Sequence, residues 1–271
     1  MKPSRLHRHN SPEEMKTTII LSASSKILLS VCFVLSSTLP ALCQSKKLQS
    51  LALLVQDLGN PYYTQVVHGT EKKAKEYNPA VKLVSLSCNN DLGTQTNQMD
   101  DAVGGGANLI ILSAADPEGI EPAVKRAKDA GVTVVAVDNG AKGVDATVTS
   151  NNVQAGEVAC QYIVDCLKGR GQVVIVSGIS ATAVFDRVAG AMKVFNQHPD
   201  IKILSKDQNS LGTRDGGLRV MTDLLTAFPK IDAVFAINDP AAIGSDLAAR
   251  QAQRKDLFVV GVDGSPDAVN A

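Results

Sequence analysis

The sequence contains no tryptophan, and aromatic residues of all kinds occupy 4% of its 271 positions. It also lacks an excess of charge: Lys+Arg and Asp+Glu both number 27. A balanced surface offers no basic field to nucleic acid or to an acidic membrane, so no nucleic-acid partner is expected. Histidine is scarce. His7 and His9 precede the apolar leader, His68 falls in mid-helix and His198 precedes a proline. No Gly-x-Ser-x-Gly elbow, paired acid/base or zinc spacing accompanies them, so neither an enzyme nor a metal or cofactor is expected. The cluster Gly104, Gly105 and Gly106 lacks the Lys-Ser/Thr of a phosphate loop and leads into a strand. It reads as a helix stop.

Cysteine is limited to five residues, of which Cys32 and Cys43 fall in or beside the leader. The other three, Cys88, Cys160 and Cys166, are an odd number, which argues against a disulfide framework. Cys160 and Cys166 share one expected helix, where six residues place their Cα atoms about 9 Å apart, too far for a bridge. All three are expected to be small buried hydrophobes.

Long hydrophobic runs are also absent. The longest candidate, residues 27–39, is broken by serines and is too short to span a bilayer as a helix. Lys16 and Lys26 precede it, and Leu39-Pro40-Ala41-Leu42-Cys43-Gln44-Ser45 follows. That is the layout of a secretory signal peptide, with residues 1–45 as signal and leader. A start at Met15 would give a conventional signal. Leu42 is too bulky for a lipoprotein site at Cys43, so ordinary cleavage near 41–45 is expected.

What the sequence does have is a refrain. Short β-branched runs stop at a small polar residue: 51–55 running out toward Asn60, 109–112 at Ser113, and 132–137 at Asp138. Further on, 233–237 stops at Asn238 and 258–262 at Asp263. Runs without apolar/polar alternation read as strands buried on both faces, and helical stretches separate them, so the fold class is α/β with parallel sheets. Strands are expected at 49–55, 81–86, 108–112 and 132–137, and, after residues 146–149, where the cycle restarts, at 172–177, 201–206, 232–237 and 257–262. Helices are expected at 61–77, 92–103, 117–129, 152–168, 182–196, 213–227 and 240–252. Pro61 and Pro117 are placed in first helical turns, and Gly131 and Gly169 at helix ends. Thr149-Ser150-Asn151-Asn152 reads as a hinge between two doubly wound lobes, residues 46–150 and 151–271.

In open parallel sheets the polar strand ends collect where ligands bind. Asp138 and Asp263 hold matching positions in the two lobes, and each carboxylate can accept two hydroxyls of a sugar or polyol. The alternative for each is a helix N-cap. Asn60 with Tyr62 and Tyr63 offers an amide and two aromatic faces at a strand–helix junction; otherwise one tyrosine is core and the other rim. Asn238 offers a second amide, or an N-cap. Arg187 could span several oxygens with its fork of donors, or be a solvated surface residue.

In their order and spacing, Asn60-Pro61-Tyr62-Tyr63, Ala136-Val137-Asp138, Thr149-Ser150-Asn151-Asn152, Phe235-Ala236-Ile237-Asn238-Asp239 and Val260-Gly261-Val262-Asp263-Gly264 carry a resemblance. The chain resembles the periplasmic sugar-binding proteins of ABC transporters, in the ribose-binding-protein group, over nearly all of residues 48–271. These are type I periplasmic binding proteins, related to the lactose-repressor core. The resemblance implies two lobes closing on a sugar read by Asn60, Tyr62, Tyr63, Ser113, Asp138, Arg187, Asn238 and Asp263. It implies a monosaccharide or polyol delivered to an ABC permease from the periplasm by a monomeric, non-enzymatic receptor. A sugar sensor presenting its ligand to a chemoreceptor or sensor kinase is the alternative. A sugar-responsive repressor would need a helix-turn-helix where the signal peptide stands.

The chain departs from the group's pattern. Gly212 and Val262 stand where ribose binders carry aromatics, with Phe185 a partial substitute, and Asn139 stands where they carry an arginine. Family members also continue past the position of Ala271, through a further second-lobe strand and a final strand and helix of the first lobe. A fragment lacking those C-terminal elements is therefore expected.

Overall fold

The computed structural model describes residues 47–271, which form one compact unit. The signal peptide and leader expected over 1–45, the start at Met15 and the cleavage site lie outside the described residues. Five parallel strands make the first sheet: β1 (Ser50–Val55), β2 (Lys82–Ser87), β3 (Leu109–Leu112), β4 (Thr133–Val137) and β5 (Ala146–Val148), ordered β2-β1-β3-β4-β5. Helices α1 (Pro61–Tyr77), α2 (Leu92–Gly104) and α3 (Glu121–Asp129) connect them. Helix α4 (Asn152–Leu167) then leads into a second parallel sheet.

That sheet contains β6 (Gly171–Ser177), β7 (Ile201–Asn209), β8 (Ala233–Ala236) and β9 (Phe258–Val260), ordered β7-β6-β8-β9. Its helices are α5 (Thr182–Phe195), α6 (Arg214–Ala227), α7 (Asp239–Gln251) and the short α8 (Pro266–Val269), which the sequence reading did not anticipate. Ser265 caps α8 by accepting from the Ala268 amide. The fold is two doubly wound α/β lobes, as expected from the alternation of runs and helices.

Each sheet carries a core on both faces because successive strand residues point to opposite sides. Ala52 and Leu54 of β1 pack with Met99, Ile120 and Val124 from the α2/α3 side, while Leu51, Leu53 and Val55 pack with Tyr63 and Ala74 of α1. In the second lobe Val173 and Ile175 face Cys160, Ile163 and Phe195. Val174 and Val176 face Val220, Met221 and Leu224 on the other side. Two helix pairs in this lobe meet backbone to backbone. A Cβ on Gly156 of α4 would collide with the Arg187 carbonyl of α5, and one on Gly190 with the Val153 carbonyl. Gly217 and Gly244 make the same approach between α6 and α7.

Three expectations need correction. Burial on both faces holds for β1 and β8 but not for β3 and β4, where buried residues alternate with partly buried or exposed ones. The apolar cluster on that side draws its helical members from α1, which leaves Leu109 and Ile111 only partly covered. Pro117 does not open a helix. It lies in a turn where the Asp116 carboxylate accepts from the amides of Glu118 and Gly119, and α3 starts at Glu121 with Pro122 in its first turn. Cys166 is exposed on α4, whereas Cys88 and Cys160 are buried; all three are free thiols.

Candidate functional site

The C-terminal ends of both sheets face one cavity, lined from the first lobe by Gln56, Asn60, Tyr62, Tyr63, Asp138 and Asn139. From the second lobe come Arg187, Asn238 and Asp263, with an aliphatic floor that includes Ile179, Val184, Leu211 and Ile237. Seven of the eight residues singled out from the sequence line it. Ser113 does not: it is fully buried behind Tyr63, whose hydroxyl lies 3.2 Å from the Ser113 hydroxyl.

Tyr63 and Tyr62 divide as core and rim, with ring centroids 5.3 Å apart in an edge-to-face arrangement. Tyr63 is buried and donates to the Asp138 carboxylate at 3.0 Å. Tyr62 is more exposed, and its hydroxyl has no partner among the described residues. Asn60 caps α1 by accepting from the Tyr62 amide at 3.0 Å, which leaves its Nδ2 without a partner among the described residues. Asn238 caps α7 through the Ala241 amide and donates to the Gly212 carbonyl at 2.9 Å. The cap and cavity readings of these asparagines therefore hold together, since a cap occupies Oδ1 and not the amide hydrogens.

Neither aspartate caps the helix that follows it. Asp138 is followed by a turn leading to β5, and Ser265, not Asp263, caps α8. Both take a backbone that non-glycine residues rarely adopt, with φ of 63° at Asp138 and 117° at Asp263. Asp138 accepts at Oδ2 from Tyr63 and, at 2.7 Å, from the Asn139 amide, leaving Oδ1 open. Asp263 lies 3.4 Å from Arg187 and accepts from the Asp239 amide at 3.3 Å.

Arg187 is not a solvated surface residue, since its side chain is only 12% exposed. Its Nε donates to Asn152 Oδ1 at 2.9 Å and its Nη1 to the Ile237 carbonyl at 2.7 Å, leaving Nη2 without a partner among the described residues. Thr149, in the segment read as the hinge, donates to the Asp138 carbonyl at 2.7 Å and accepts from Asn152 Nδ2 at 3.1 Å. A continuous polar path therefore runs from Asp138 through Thr149 and Asn152 to Arg187 and Asp263.

Burial pushes the Asp138 carboxyl above the usual carboxylate range, opposed by the Tyr63 hydrogen bond and the Arg187 charge. It pushes Asp263 up to about 6, again against Arg187. The Tyr62 phenol rises to about 12 through burial and the nearby Asp138 charge, so it stays protonated as a donor. The site thus holds carboxylates stripped of much of their water, which a ligand hydroxyl can replace as donor.

Sequence reasoning missed Gln56, Asn139 and Asn152. Gln56 is the polar residue directly after β1, so the strand-stop pattern contained it, but the first run was followed on to Asn60. Its Oε1 accepts from Asn139 Nδ2 at 3.1 Å, at the buried edge of the cavity. The expected substitute aromatic also fails. Phe185 is 52% exposed and does not line the cavity, because two residues along a helix from Arg187 place it on another face. Val262 packs into the second-lobe core instead. Gly212, at φ 66°, lines the cavity where its carbonyl receives Asn238.

Residues 51–271 match the periplasmic binding protein domain family. The ribose import binding protein RbsB of Bacillus subtilis is 34% identical over 233 residues, covering 85% of this chain and 74% of that protein. The xylitol-binding protein of Mycolicibacterium smegmatis is 32% identical over 225 residues, covering 82% of this chain and just under two thirds (63%) of that protein. A periplasmic solute-binding protein of an ABC transporter from Actinobacillus succinogenes 130z, solved with bound D-allose, superposes with a TM-score of 0.73 at 27% identity. That superposition covers 82% of this chain and 81% of the other. The chain belongs to the periplasmic binding protein family, in the group that contains the ribose import binding proteins.

Proposed function

We propose that the protein is a periplasmic receptor that captures a neutral monosaccharide or polyol between its lobes and delivers it to an ABC permease. The observation that carries this reading is the set of polar atoms left without partners among the described residues around one cavity. They are Oδ1 of Asp138, Nη2 of Arg187, Nδ2 of Asn60 and the hydroxyl of Tyr62. The set offers both an acceptor and donors, as hydroxyls require, because each hydroxyl both gives and takes a hydrogen bond. Asp57, Asp138 and Asp263 line the cavity against one cation, Arg187, which disfavours sugar acids and sugar phosphates. Ribose, xylitol and D-allose, named for the relatives, are uncharged polyhydroxyl compounds.

Capture works by population shift. A ligand touching Asp138 on one lobe and Arg187 on the other binds the closed arrangement better than the open one. The test is a thermal-shift screen of the secreted form against pentoses, hexoses, polyols and sugar acids. A ligand at 100 times its dissociation constant adds about 2.7 kcal/mol of stability. Shifts with neutral polyhydroxyl compounds and none with sugar acids are expected. A folded protein that no hydroxylated compound shifts would overturn the reading.

A further inference from the structure

Helix α5 begins without a cap of its own. Its N-cap position is Ala181, which has no side-chain acceptor for the amides of the first turn. The acceptor comes from the other lobe: Asn139 Oδ1, in the loop after β4, takes the Ala183 amide at 3.1 Å. Beside it the Gly140 amide donates to the Thr182 hydroxyl at 2.8 Å. Asn139 is 3% exposed, and its other end is equally engaged. Its Nδ2 donates to Asp138 Oδ2 at 2.7 Å and to Gln56 Oε1 at 3.1 Å. With both ends occupied, Asn139 has nothing left to read a ligand, although its side chain lines the cavity.

We propose that Asn139 and Thr182 form a latch in which the first lobe caps a helix of the second, so that closure has a ligand-independent component. Separating the lobes removes the cap from α5 and exposes its first-turn amides to water. The latch also ties closure to the site, because the residue that caps α5 is the one that orients the Asp138 carboxylate. Asn139 is therefore a positioning residue for Asp138 and a closing contact at once. Two such hydrogen bonds change the closed-to-open ratio by about thirtyfold. This proposal does not require that the ligand be a sugar.

The test measures lobe separation in the full chain without added sugar. A donor–acceptor pair is attached through unnatural residues at exposed Lys72 and Lys230, and single-molecule energy transfer gives the closed fraction. The unsubstituted protein should populate a closed form, and Thr182→Val should lower its closed-to-open ratio several-fold. Thr182→Ser, which keeps the hydroxyl, should restore it, and Asn139→Ala should lower the ratio about tenfold. Should Asn139→Ala fail to fold, the Thr182 pair decides alone. An unsubstituted protein found only in the open form overturns the proposal, as does a Thr182→Val closed fraction equal to the unsubstituted one.

Discussion

The guanidinium of Arg187 is held by Asn152, whose Oδ1 accepts from Nε at 2.9 Å at the start of the first helix after the crossover. The residue that aims the cation into the cavity thus belongs to the segment about which the lobes would move. Asn152 is 2% exposed, so water cannot easily take its place.

Asn152→Ala should therefore weaken ligand binding about tenfold, because Arg187 keeps its contacts to Ile237 and Asp263 but loses one of its anchors. Titration calorimetry with a compound found by the thermal-shift screen would check this. The dissociation constant should move while far-UV circular dichroism stays unchanged.

Asp138→Asn isolates charge from backbone. Asparagine tolerates positive φ, so the turn survives, and removing a buried carboxylate costs the fold nothing. Binding should fall by about 2–3 kcal/mol while the melting temperature holds or rises. Asp138→Ala is the poorer probe, since it adds backbone strain to the lost contact.

Asp263 makes both stability and binding depend on pH. Its folded-state pKa of about 6 lies above its ordinary 3.8, so between these values the folded protein holds more protons than the unfolded chain. By linkage, the contribution of this group to stability falls as pH rises from about 4 to about 6 and is level above. The melting temperature of the unsubstituted protein, compared with Asp263→Asn across that window, should show the difference.

Ligand hydroxyls favour the ionised carboxylate, so binding near pH 6 should release protons. Affinity should weaken as the pH drops below about 6. Calorimetry in buffers of different ionisation enthalpy would detect the release, and Asp263→Asn should reduce it.

Gly156→Ala should destabilise the protein by about 1–3 kcal/mol, because its Cβ would push against the Arg187 carbonyl of α5. Affinity should fall with it, as the Arg187 backbone shifts. Gly69→Ala, on open α1 surface with nothing near its Cβ, should instead stabilise by about 0.5–1 kcal/mol in chemical denaturation.

Much of this molecule was legible in the sequence because parallel strands announce themselves. Residues 51–55 and 233–236 are apolar throughout and are buried throughout, and the polar residues that follow such runs meet at one cavity. Pro117 misled because a proline allowed in a first helical turn is equally allowed in the turn that Asp116 closes. Ser113 shows the other limit. Strand-end position says that a side chain is near the cavity, but whether it lines the surface or lies one layer beneath depends on Tyr63, which comes from a different element. The trans cap at Asn139 had no local signal at all, since its partner Ala183 lies across the lobe boundary.

The positive φ at Asp138 and Asp263 sets the routes by which this receptor can change. Only a few residues sit comfortably in that backbone, chiefly glycine, asparagine and aspartate. Asparagine and glycine are each one base change from an aspartate codon. A lineage can therefore shed either carboxylate in one step without disturbing the turn that carried it, whereas most other replacements must first rebuild the loop. Chains of this group that abandon their acidic contacts should show amides or glycines at these two points, and acquire new ligand chemistry at neighbours such as Leu211.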